Sequence, residues 1–152
     1  MYTVRFLCLA VCLLLGFQAN AQEQPQVEKL AVEAVNPSDV KIAEDLANQI
    51  LGKMAEGSYY AFTEEDAIPQ IIDMFTEDMQ KQAYQQIKAQ VGNYEGSMDF
   101  QEAYEVSQTG MEATIFRFKG NFSQSEPEVR VVINREDQLM GLRVLPWSDE
   151  MK

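Results

Sequence analysis

The segment IIDMFTEDMQKQAYQQIKAQVGNYEG, Ile71–Gly96, decides how the rest of the chain is read. Met79, Ala83, Tyr84, Ile87 and Val91 recur at spacings of three, four and one, which places them on one stripe of a helix. Gly92 follows the last of them, where a helix stop is wanted. Thr76 stands before Glu77 and Asp78, so it is the expected cap, with two acids in the first turn. The residues before this segment read as helical. After Gly96 the apolar period changes from helical spacing to two.

Moving toward the N-terminus, Asn36-Pro37 opens a helix whose apolar stripe is Val40, Ala43, Leu46, Ala47, Ile50, Leu51 and Met54, and Gly57 ends it. Ser58–Asp66 is irregular and carries two tyrosines. Thr63 and Asp66 have the spacing of a capping box, so the next helix, carrying Ile68, Ile71, Ile72 and Phe75, starts either after Asp66 or at Pro69, and it either stops before the Thr76 cap or runs on through it.

Toward the C-terminus, Met98, Phe100, Tyr104 and Val106 alternate with Asp99, Gln101, Glu105 and Ser107, and only Glu102 and Ala103 break the alternation. Thr109-Gly110 reads as a hairpin turn. Strands are expected at 111–122, 129–133 and 139–145, closed by Pro146-Trp147. The expected fold is therefore α+β, with three N-terminal helices packed on a curved four-stranded antiparallel sheet. The domain spans 37–147, between a flexible leader at 22–36 and a polar tail at 148–152.

The chain has 152 residues, enough for one domain with a core. Residues 1–21 read as a signal peptide, with Arg5, an apolar run from Phe6 to Phe17, and small residues before a cut between Ala21 and Gln22. The run is too short for a stable membrane anchor. The implied location is secreted or periplasmic. Both cysteines, Cys8 and Cys12, fall in the removed part, so no disulfide or thiolate site is expected. There are 0 histidines, which excludes histidine-dependent triads and imidazole-bound zinc or haem. Without Arg5 the balance is 11 basic against 24 acidic residues, a charge that repels nucleic acid. No cofactor is expected.

Four stretches carry a resemblance: M-F-T-E-D-M at Met74–Met79, V-G-N-Y at Val91–Tyr94, F-R-F-K-G at Phe116–Gly120, and D-Q-L-M-G-L-R-V-L-P-W at Asp137–Trp147. On these the chain resembles the nuclear-transport-factor-2-like superfamily, most closely the bacterial secreted "domain of unknown function 3887" family. The resemblance implies a cone of helices against a curved sheet, and a family without an agreed activity.

Two functional readings follow. In the first, a non-enzymatic domain binds a partner, a second copy of itself or a small apolar ligand through the sheet face or the cone. The candidate residues are Tyr60, Tyr84, Tyr104, Phe116, Phe118 and Trp147. In the second, an isomerase or dehydratase uses tyrosine with a buried carboxylate from Asp66, Asp73 or Glu102, as steroid-isomerase-like relatives do. The acids at 64–66, 73, 77 and 78 match no calcium loop and read as helix-terminal charge. Arg117, Lys119, Arg130 and Arg143 form either a basic patch or cross-strand pairs with Glu105, Glu112 or Glu128.

Overall fold

Asn36 starts the first helix as its spacing predicts: its side chain accepts the Ser38 N–H at 3.0 Å and Pro37 occupies the first turn. This helix, α1, covers Pro37–Ala55 and buries Ala43, Leu46, Ala47, Ile50, Leu51 and Met54. It ends where Ser58 N–H reaches back to Lys53 C=O at 2.9 Å and Gly57 takes a positive φ of 76°. The computed structural model describes residues 24–151. The expected signal peptide and its cut at Ala21 and Gln22 lie outside them.

Two further helices follow, α2 at Pro69–Met74 and α3 at Glu77–Val91. The Thr63–Asp66 box forms, with Thr63 N–H and Oγ donating to Asp66 at 2.9 and 2.7 Å. It closes a turn rather than a helix, because Ile68 N–H then donates to Leu139 C=O and Leu139 N–H to Asp66 C=O. Helix α2 therefore starts at Pro69.

Helix α3 turns a slightly different stripe inward. Gln80 and Tyr84 are buried, whereas Met79 is 40% exposed. Gln80 wins the inner position because it makes three bonds there. Its Oε1 accepts the Tyr60 N–H at 2.8 Å, and its Nε2 donates to the carbonyls of Tyr60 at 2.8 Å and Phe75 at 2.9 Å. Thr76 occupies the cap position without a side-chain bond.

Strands β2 (Tyr94–Gln108), β3 (Met111–Phe122), β4 (Glu128–Asn134) and β5 (Leu139–Leu145) form the expected antiparallel meander. The sheet has five strands, not four. The segment expected to be a flexible leader contains β1, Gln26–Lys29, paired antiparallel with β2. Val27 lies opposite Val106 and the strand supplies partners for the outer edge of β2, which a free leader would leave open. Among the described residues the architecture is thus α+β, with three α-helices and one antiparallel sheet in the order β1-β2-β3-β4-β5.

Gly92 ties α3 to the sheet. With φ at 90°, it is a position where a side chain is strained, and a Cβ there would collide with Ser123 Oγ. Around it Asn93 N–H donates to Ser123 Oγ at 2.9 Å and Gln124 N–H to Val91 C=O at 3.1 Å. The core lies between the helices and one sheet face. There Ala103, Phe116, Phe118, Val129, Val131 and Ile133 meet the stripe of α1.

Candidate functional site

The six expected site residues do not converge. Phe116, Phe118 and Tyr84 are buried in the helix-side core. Phe100 packs its ring 5.8 Å from that of Phe118, and Tyr84 Oη accepts the Tyr94 N–H at 3.0 Å. Tyr60 sits in the loop after α1, clamped by Gln80, with its ring 5.0 Å from Phe62. Burial, with the Asp66 carboxylate beside it, raises its pKa. Tyr104 and Trp147 lie on the opposite face of the sheet.

The placement of Tyr104 follows from a bulge. Phe100 pairs with Phe118 and Glu102 with Arg117, so Gln101 is an extra residue without a counterpart. Before it, Met98 and Phe100 face the helices. After it the alternation is inverted: Ala103 faces inward and is buried, while Glu102, Tyr104 and Val106 face outward. The expectation that Met98, Phe100, Tyr104 and Val106 share one face is corrected on this ground.

The outer face carries an ionic cluster centred on Arg117, whose side chain is 0% exposed. Its Nη1 donates to Glu102 Oε1, and its Nη2 donates to Glu128 Oε2 at 2.6 Å. Glu128, 1% exposed, also accepts from Arg130 Nε at 2.6 Å through its other oxygen. Glu102 accepts from Lys29 on β1 and from the Tyr104 hydroxyl at 3.0 Å. Strand pairing brings these groups together, because Glu102 is opposite Arg117 and Arg117 opposite Arg130.

Burial pushes the pKa of Glu128 up, but Arg117 and Arg130 overcome it and hold the carboxyl below its ordinary value. Glu102 is likewise pushed up by burial, then held below the ordinary value by Lys29, Tyr104 and Arg117. Burial alone would lower Arg117, whereas Glu128 and Glu102 raise it.

The expected polar tail begins as a lid over this cluster. Trp147 is half-buried, with its ring centroid 4.8 Å from the Arg117 guanidinium carbon and 4.8 Å from Lys119 Nζ. Ser148 C=O accepts from Arg117 Nη2 at 2.6 Å, and Trp147 Nε1 donates to Asp149 at 3.2 Å. Arg117 Nε is buried and has no hydrogen-bond partner among the described residues.

This arrangement is poorly suited to acid–base catalysis. Asp73 is exposed, and Asp66 is bonded to Thr63 in its turn. Glu102 and Glu128 are held below the ordinary carboxylate range, which disfavours them as general acids and makes them weak general bases. Among the described residues no three acidic side chains converge as a metal site would need. A larger recess of about 910 Å³ opens at the end of the sheet, lined by Gln24, Gln26, Gln108, Glu112, Arg135 and Glu136. Its cation, Arg135, is exposed and already paired with Glu112. A second cleft of about 310 Å³ opens on the helix side of the sheet, lined by Asp39, Glu105, Thr114, Ile133 and the candidate residue Phe116.

Sequence reasoning named Tyr104, Trp147 and the possible pairing of Arg117 with Glu128, but not the cluster that Glu102 completes. The available signal was the broken alternation at Glu102–Ala103. No protein-family model, curated protein or solved structure matches this chain.

Proposed function

We propose that this chain is an exported, non-catalytic binding module of the nuclear-transport-factor-2-like kind, a cone of three helices on a curved sheet. Its partner is a protein segment, which it engages through the sheet face opposite the helices. The observation that carries this reading is Arg117: a guanidinium removed from water, with one unpartnered donor, beneath a segment outside any strand or helix. Buried polar groups are normally satisfied, so an orphaned N–H under a removable cover fits a site whose cover is exchanged. Arg and Trp are also the side chains that most often carry binding energy at protein contacts.

The burial of Tyr84 and Phe118 in side-chain packing, and the mostly polar lining of the cleft beside Phe116, favour the sheet face over a cone pocket for a small apolar ligand. The depressed carboxylates favour binding over an isomerase or dehydratase.

The test uses the full chain with Trp147→Ala, which weakens the cover and removes the chain's 1 tryptophan. A synthetic peptide of residues 146–152 then supplies the only indole. Saturable binding with a blue shift of its emission is expected, and the wild-type chain should bind this peptide more weakly. A folded variant that leaves the peptide emission unchanged refutes the reading.

A further inference from the structure

We propose that the site over Arg117 recognises the C-terminal carboxylate of a peptide whose penultimate residue is aromatic, and that the chain's own Trp147–Ser148 segment imitates this ligand. The inference rests on the binding-face reading above and specifies its ligand.

The first argument is the fit of the acceptor. Ser148 C=O reaches one nitrogen of Arg117, Nη2, at 2.6 Å. The neighbouring Nε is buried and unpartnered among the described residues. Nε and Nη2 lie side by side on one edge of the planar guanidinium, the edge on which a carboxylate is held by two parallel bonds. A carbonyl offers one oxygen, so it leaves one donor unmet. A peptide ending at the Ser148 position would present two oxygens and satisfy both.

The second argument is charge. Pairing places Lys29, Arg117, Lys119, Arg130 and Arg143 on this face with Asp99, Glu102 and Glu128. Strand pairing sets five cations against three carboxylates here, and with Asp149 of the tail beside Trp147 the balance is five against four, still positive in a chain of net charge −12. Lys119 Nζ lies against the same ring as Arg117, so two cations border the ring that the incoming penultimate residue would replace. An incoming carboxylate is drawn to this face and repelled by the acidic helical half.

The third argument is the residue before the carboxylate. The Trp147 ring is stacked on both cations at 4.8 Å and screens the cluster from water. An aromatic ring is the side chain that meets two cations without adding charge, and excluding water strengthens the bonds beneath it. Ordinary side-chain acids lack this pairing of ring and terminal oxygens.

Pro-Trp-Ser with a free C-terminal carboxylate, Pro-Trp-Ser amide and the 146–152 peptide are titrated against the full-length Trp147→Ala chain by peptide fluorescence. The free acid is expected to bind about tenfold or more tightly than the amide, since a tenfold ratio corresponds to about 1.4 kcal/mol, the scale of one charge-assisted bond. Adding Lys119→Gln should weaken the acid more than the amide. Equal binding of acid and amide, or binding of the 146–152 peptide alone, overturns the carboxylate inference and leaves the binding face standing. Failure of all three peptides with a folded variant overturns both.

Discussion

Replacing Glu128 with Gln tests whether the outer-face cluster is an integral part of the fold. Glu128 is 1% exposed and bonds two guanidinium groups at 2.6 Å each. Removing one partner of a buried ion pair costs about 3–5 kcal/mol, because the other charge stays buried without compensation. Gln keeps one acceptor oxygen, which recovers about 1 kcal/mol. The expected loss is therefore about 2–4 kcal/mol, a large share of a typical domain's stability of roughly 5–15 kcal/mol. Urea unfolding followed by far-UV circular dichroism and by Trp147 emission measures it. The sign of the pH dependence is fixed by the depressed pKa of Glu128. A carboxyl lowered by folding contributes stability above its unfolded pKa, about 4.3, and loses it as pH falls through the folded value. The gap between wild type and variant should thus be full at neutral pH and close in acid. A neutral-pH difference below about 1 kcal/mol, or a gap that widens on acidification, refutes the argument.

Two further outcomes follow from the helical side. Gln80→Leu leaves Tyr60 N–H and the carbonyls of Tyr60 and Phe75 without their partner. It should cost about 2–4 kcal/mol in urea unfolding and increase proteolysis in the loop after α1; an unchanged midpoint would show that water replaces the side chain. Gly92→Ala should cost about 1–3 kcal/mol, since it combines a strained φ of 90° with a clash against Ser123 Oγ; a thermal midpoint equal to wild type contradicts that geometry.

The start of α1 and the end of α3 were readable because their signals are local, whereas the limits of α2 stayed open between Asp66, Pro69 and Thr76. Asn36-Pro37 starts α1, and its stripe is buried as spaced. Gly92 ends α3 because the chain turns there against Ser123 and Gln124. The inward side of α3 was less legible. Gln80 outcompetes Met79 through bonds to a loop twenty residues away, and no periodicity of apolar residues records that. Strand β1 was hidden because its four residues are all exposed and its role is to pair with β2. The candidate site was harder again. Trp147 and Tyr104 were picked as aromatics, but Arg117 looks on paper like an ordinary outward cation. Its burial comes from the tail folding back over it, which is a tertiary event.

Gln101 has a consequence for how this chain can change over generations. It is the one residue that reverses the facing of β2, so the strand has a reading frame of two and Gln101 sets its phase. Losing that single residue would carry Glu102 and Tyr104 toward the helices and Ala103 toward the tail. A lineage can alter the chemistry of individual positions on this face one at a time, yet one in-frame deletion at Gln101 would dismantle the whole face at once. Substitutions at 101 should be tolerated freely where a deletion is not, which separates the need for a residue from the need for its side chain.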